Sequence, residues 1–196
     1  GTTRSLYGVC FTDANTGTAV GELGTILRTQ DGGVNWEPQN SGTWRGLYGV
    51  SFASADVGTA VGYLGTIVHT VNGGETWTPQ PSETSDFLYA VSLLDGGTGT
   101  VVGEYGTILR TTDGGESWIP QESGIGSFLY GVGFTDPEHG AAVGRFGAIL
   151  RTRDGGTSWE SRYLGSYADL RGVSFFDQDC GTVVGEAGTI YATIDA

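Results

Sequence analysis

Two columns of residues in this chain have the types and spacing to build one binding site. Tyr7, Tyr48, Tyr89, Tyr130 and Arg171 follow one another at a step of 41 residues, and so do Glu22, Tyr63, Glu104, Arg145 and Glu186. The first column offers phenol rings and a guanidinium. The second offers three carboxylates, a phenol and a guanidinium. Trp44, Arg45, Asp86, Phe87, Phe128 and Tyr167 lie in the segments between copies. Aromatic faces next to charged groups can hold a sugar, a peptide end or a carboxylate ligand. The competing reading of the tyrosines is that they pack between neighbouring sheets.

The step of 41 residues governs the whole chain. Trp36, Trp77, Trp118 and Trp159 obey it, as do Leu6, Leu47, Leu88, Leu129 and Leu170 and the glycines 21, 62, 103, 144 and 185, without an insertion or deletion. A period near 40 marks a solenoid, propeller or array. Within residues 6–46, four short β-type runs alternate with turns: 6–11, 17–21, 25–29 and 35–38. Gly24 gives the second turn a residue free to take positive φ, and Pro38 suits a sheet edge. Four strands joined by hairpins make one propeller blade, and no segment has helical period. The expectation is therefore an all-β, five-bladed β-propeller forming a single domain over 1–196, with blades at 6–46, 47–87, 88–128, 129–169 and 170–196. Blade five stops inside its third turn and lacks an outer strand. Hairpin alternation puts the second turns and the linkers on one face. The two columns named above then ring the mouth of the central channel. The small column Gly8, Gly49, Ala90, Gly131 and Gly172 lets first strands crowd at the axis.

Composition narrows the function. The 36 glycines follow no collagen period, and the formal charge is −13 with arginine as the only strong base. Non-specific nucleic-acid or anionic-membrane binding needs a basic face, so neither is expected. No run approaches 18 apolar residues, and no signal peptide is present. An extracytoplasmic location is the expectation. His69 and His139 stand in unrelated columns, so no metal site is expected, and no motif implies a cofactor. Arg28, His69, Arg110 and Arg151 share a column on the opposite side, where a local ion-pair or hydrogen-bond role fits best.

The third turn carries a further signature. Asp31, Asn72, Asp113 and Asp154 are each followed by two glycines and, five residues on, by Trp36, Trp77, Trp118 and Trp159. A carboxylate or amide there can accept backbone N–H bonds across the turn while the tryptophan fills the blade corner. This is a structural staple and not a catalytic site. The pattern resembles the Asp-box (BNR) repeat of sialidases and sortilin-type receptors. The longer string Gly-x-x-Gly-Thr-Ile-x-x-Thr-x-Asp-Gly-Gly-x-x-Trp is most similar to the photosystem II stability/assembly-factor family, and stands at 21–36, 103–118, 62–77 with Asn72 for Asp, and 144–159 with Ala148 for Thr. The resemblance implies a β-propeller that binds a partner and catalyses nothing. Family members usually close with seven blades and carry a basic patch, and this chain departs from both.

Three functions are compatible with these residues. The first is a non-catalytic scaffold presenting a rigid face to a protein or glycan, as a monomer or a weak oligomer through the incomplete fifth blade. The second is a sialidase-like glycoside hydrolase, which needs three arginines on a carboxylate; the mouth offers only Arg45, Arg145 and Arg171. The third is a reconstructed or designed propeller without a native ligand. If the ring closes, blades one and five are neighbours, and Cys10 and Cys180 could form a disulfide staple; two unbonded thiols are the alternative.

Overall fold

The computed structural model describes residues 1–94, 97–163, 167–178 and 180–193, with the backbone alone at Tyr163 and Thr193. Blade one consists of β1 (Leu6–Phe11), β2 (Gly17–Gly21), β3 (Ile26–Thr29) and β4 (Glu37–Gln39). Blade two consists of β5 (Leu47–Phe52), β6 (Gly58–Gly62), β7 (Ile67–Thr70) and β8 (Thr78–Gln80). Blade three is β9 (Leu88–Leu93), β10 (Gly99–Gly103), β11 (Ile108–Thr111) and β12 (Ile119–Gln121). Blade four is β13 (Leu129–Phe134), β14 (Gly140–Gly144), β15 (Ala148–Thr152) and β16 (Glu160–Tyr163). Blade five has three strands, β17 (Leu170–Phe175), β18 (Gly181–Gly185) and β19 (Ile190–Thr193). In every blade consecutive strands pair antiparallel, so the all-β, five-bladed architecture with an incomplete last blade is the one the chain forms.

Two boundaries differ from the sequence expectation. The fourth strand of blade one starts at Glu37, not Asn35, and leaves Trp36 in the turn. The third strand starts at Ile26 except in blade four, where Ala148 joins it. Among the described residues there is no α-helix; each second turn is a single tight 3₁₀-like turn. The end of blade five beyond Thr193, with Asp195 in the Asp-turn column, lies outside the described residues.

The seams between blades repeat one design. Val20 and Ile26 of blade one pack on Leu47, Val50, Ala60, Val68 and Trp77 of blade two. Val102 and Ile108 of blade three pack on Leu129, Ala142 and Leu150 of blade four in the same way. Burying each such aliphatic side chain contributes roughly 1.5–3 kcal/mol. At the axis the first strands nearly touch. A Cβ on Gly8 would sit 3.0 Å from the Tyr48 carbonyl oxygen, and one on Gly49 would sit 2.9 Å from that of Tyr89.

The series of seams does not close on itself. β1 packs on β5, β5 on β9, β9 on β13 and β13 on β17, with no comparable packing between β17 and β1. Leu6 is 46% exposed, whereas Leu47, Leu88, Leu129 and Leu170 are at 0%. The ends of the arc are therefore apart, and Cys10 and Cys180 stand as two unbonded thiols, the second of the two states left open by the sequence.

The Asp-turns behave as hairpin locks. Asp113 accepts from the Thr111 hydroxyl, the Ser117 amide and the Ser117 hydroxyl. Asn72 Oδ1 accepts from the Thr70 hydroxyl and the Thr76 amide, and Asn72 Nδ2 donates to the Thr76 hydroxyl. Threonine closes the turn from the other side, since Thr111 Oγ1 accepts from the Gly115 amide at 2.9 Å. Trp77 also reaches the preceding blade: its Nε1 donates to Gln39 Oε1 at 3.4 Å. In the first strands Phe52 and Phe134 meet Trp77 and Trp159 edge-on, at 5.9 and 6.1 Å.

Two outcomes are expected. Trp118 is buried in the seam cluster of blades two and three, so Trp118→Ala should cost about 3–5 kcal/mol in chemical denaturation. A loss below about 1 kcal/mol would show that the column decorates the surface. Hydrogen bonds, first those from Ser117 and Ser158, pull the Asp113 and Asp154 carboxyls down to about 2. The folded state thus binds these protons less tightly than the unfolded chain, whose carboxyls titrate near about 3.9. Their contribution is complete above that value and disappears as pH falls through about 2. Melting temperature should drop over this window, and the Asp31→Asn, Asp113→Asn, Asp154→Asn triple variant should flatten the drop.

Candidate functional site

The mouth is built by a defect in the strand pairing. In β1, Leu6 pairs with Gly21 and Gly8 with Val20, so Tyr7 is an extra residue opposite no partner. The same bulge recurs at Tyr48, Tyr89, Tyr130 and Arg171. A bulge re-aims the side chain it carries. Here it turns one residue per blade into a common stack. Ring centroids lie 5.5 Å apart for Tyr7–Tyr48, 5.9 Å for Tyr48–Tyr89 and 5.4 Å for Tyr89–Tyr130. The Arg171 guanidinium covers Tyr130 at 4.1 Å and acts as the fifth rung.

The second turns border this ladder, because each is bonded to the linker that enters its own blade. Glu22 N donates to Ser5 O, Tyr63 N to Gly46 O and Glu104 N to Phe87 O, each at 2.9 Å. A Cβ on Gly21, Gly62 or Gly144 would overlap that linker carbonyl, so only glycine permits the approach. The turn side chains then complete the rungs. Glu22 accepts from the Ser5 amide at 3.0 Å and from the Tyr7 hydroxyl at 3.2 Å. Glu104 does the same with the Phe87 amide and the Tyr89 hydroxyl. Tyr63 instead stacks on Phe87 at 4.5 Å, and Arg145 lies over Phe146 and Phe128 at 4.5 and 5.5 Å. Glu186 pairs with Arg171 at 2.5 Å, and Asp169 lies 3.2 Å from the same guanidinium.

These contacts set the electrostatics. Burial, followed by the Glu104 carboxylate, raises the Tyr89 phenol far above its ordinary value. Burial also raises Tyr48 and Tyr130. The Ser5 amide holds the Glu22 carboxyl below the usual range. At neutral pH the Tyr48, Tyr89 and Tyr130 phenols are therefore protonated and the Glu22 carboxylate is ionised.

The residue just before each turn glycine escaped sequence reasoning. Leu23, Leu64, Tyr105, Phe146 and Ala187 all sit at positive φ, between 51° and 59°. With Gly24 at φ +69 and the Thr25 amide bonded to Glu22 O, the turn is type I′, which favours Asn-Gly. Bulky side chains at such φ are outliers. They are also exposed: Leu23 is 58% and Tyr105 63% accessible. Leu64 and Tyr105 wall two similar clefts of about 430 and 450 Å³ between turn, linker and outer strand. A signal existed in the sequence, namely apolar residues at the tips of hairpins where asparagine is the favoured choice.

Of the remaining residues, Trp44 and Tyr167 are exposed on the linkers, and Arg45 donates to Leu64 O at 3.3 Å. Of the three arginines the hydrolase reading needs, Arg45 is held by the Leu64 carbonyl, Arg145 lies over Phe146 and Arg171 pairs with Glu186. The opposite column works across the seams. Arg28 and Arg110 donate to the Ala55 and Pro137 carbonyls of the next blade and lie over Phe52 and Phe134, and neither forms an ion pair among the described residues. His69 is buried against Thr59, and burial lowers its pKa. Among the described residues no cluster of metal-ligating side chains forms, and no helix is long and apolar enough to cross a membrane.

The comparisons agree with this architecture. A structure described as YCF48 bound to D1 peptide aligns with 100% of this chain and 93% of its own, at 18% identity and TM-score 0.60. YCF48 from Cyanidioschyzon merolae aligns over 99% and 96%, at 18% identity and TM-score 0.53. The GH74 enzyme of Niastella koreensis aligns over 97% of this chain and 36% of its own, at 14% identity and TM-score 0.80. At such identities these likenesses concern the fold alone. No curated protein matches the sequence significantly. The family described as Photosynthesis system II assembly factor YCF48 matches residues 1–78, 42–123 and 116–196, which together span the whole chain, and the chain belongs to that family.

Proposed function

We propose that the chain is a non-catalytic scaffold that captures an extended segment of a partner protein on the face bearing the tyrosine ladder and the turn tips. One observation carries the reading: apolar side chains are held in strained conformations and exposed around a continuous aromatic stack. Strain repeated in five blades for exposed residues is costly to the fold and points to a use outside it. An extended peptide can lay its backbone along the phenol row and its side chains into the tip clefts. The formal charge of −13 favours a segment with basic residues. The family's description as an assembly factor supports a protein partner, as does the family structure bound to a peptide.

A peptide array displaying extended basic and aromatic segments, run beside a glycan array, tests this reading. The best peptide should lose at least about tenfold in affinity with the Tyr48→Ala, Tyr89→Ala double variant, the scale of about 1.4 kcal/mol. The Tyr→Phe pair keeps the stack and should stay within about threefold. Glycan binding without peptide binding, or binding to the Asp-turn face, refutes it. A second expectation concerns the tips. Leu23→Asn should stabilise the fold by up to about 1 kcal/mol, because asparagine tolerates this backbone better than leucine. The same change should weaken the peptide. A fall in melting temperature would show that Leu23 is there for the fold.

A further inference from the structure

The two ends of the arc carry the two halves of one interface. In each complete seam the leading blade presents the columns of Val20 and Ile26, and the following blade presents those of Leu47, Val50 and Trp77. Blade five has the leading columns with nothing on them. Val184 is 44% exposed and Ile190 69%, against 0% for Val20 and 1% for Ile26. Blade one has the following columns uncovered, with Leu6 46% and Val9 61% exposed. The axis tells the same story. Gly8, Gly49 and Gly131 are pressed by the first strand of the next blade, while a Cβ on Gly172 would meet only Val184 of its own sheet. Gly172 thus leaves room for a strand, and blade one does not fill it.

We infer that two copies of this chain join head to tail, the blade-five face of one on the blade-one face of the next. The occupant follows from continuity with the seams already present. Every seam sets a leading face on a following face, and none sets like on like, so the junction is heterologous. The strips that meet, Val184 and Ile190 against Leu6 and Val9, carry no charge. The ladder continues through the junction, because Arg171 at its end comes beside the half-exposed Tyr7 of the next copy. Since each copy is strongly acidic, salt must strengthen the association by screening repulsion between the copies.

Sedimentation velocity of the 1–196 chain at increasing concentration tests the junction. Species larger than the protomer are expected by about 100 µM, where a Kd of tens of micromolar is visible. Raising the salt from about 0.05 to about 0.5 M should tighten them at least about twofold. The Leu6→Asp, Val9→Asp variant and the Val184→Asp, Ile190→Asp variant should each be monomeric. Their equimolar mixture should form a dimer and nothing larger, since one intact face remains on each. Gly172→Leu plugs the same junction at a position where the new Cβ meets only the end of the Val184 side chain, 3.3 Å away, and should also give a monomer with an unchanged circular-dichroism spectrum. A wild-type chain that stays monomeric at both salt concentrations overturns the inference. So does a single blocked variant that dimerises alone, or an association that weakens with salt. If an Asp variant does not fold, the wild-type and Gly172→Leu measurements decide.

Discussion

The structure depends on a backbone contact at the mouth of each blade, where the linker carbonyl presses onto a glycine and accepts the next amide. It recurs in all five blades at 2.8–2.9 Å, with Ser5, Gly46, Phe87, Phe128 and Asp169 as acceptors. The bond pulls the linker against the end of the second strand, closer than any side chain allows. The first strand must then absorb one residue to regain its register, and the bulge at Tyr7 and its equivalents is that residue. The ladder therefore follows from the fold's tightest contact. With a side chain at Gly62 the Tyr63 amide would lose its acceptor, and the bulge that aims Tyr48 would lose its cause.

The same contact divides the faces by role. At the Asp-turn end, polar groups are consumed internally: Asp154 accepts from Thr152 and from both the amide and hydroxyl of Ser158, leaving little for a ligand. At the mouth, carboxylates also hold the frame, as Glu22 and Glu104 do, but the rings they orient are not buried: Tyr7 is half-exposed and Tyr89 partly so. Glu104 is best understood as a positioning group whose removal would loosen Tyr89 and the linker at Phe87 together. The Tyr89 phenol, kept protonated by burial and the neighbouring carboxylate, is spoken for as a donor and offers its ring.

What the sequence shows follows from what repeats in it. Blade number, strand order, the staple residues and the missing outer strand are legible because each column has a chemical identity that survives 41 residues later. The bulge is invisible because Leu-Tyr-Gly-Val reads as an ordinary alternating strand, whether or not one residue is unpaired. The left-handed tips are hidden for the opposite reason, since Leu23 or Phe146 argues against the backbone it adopts. Closure of the ring is a third kind of property. The angle between blades is the sum of small shape differences in the seams, such as Leu93 where other blades have phenylalanine. Column identity carries the existence of a seam but not its angle, so counting five copies suggested a ring where the chain forms an arc.

An arc differs from a ring in what its ends must do. In a ring every first strand has a neighbour on each side, and Leu6 would be as buried as Leu47. In an arc the end faces keep the composition that a seam selects, because a blade with alternative columns would not pack within the series. Blade one is thus apolar where it meets nothing, for the same reason that blade two is apolar where it meets blade one. Exposed leucine and valine at the ends are the physical consequence of building a protein from one unit. By contrast, the tips at Leu23 and Tyr105 lie outside the buried seam clusters, and the turn they occupy prefers other residues. That contrast separates the two exposed apolar surfaces of the molecule. One is carried by repetition and finds its complement at the other end of the arc, and the other is held in place against the preference of its own backbone.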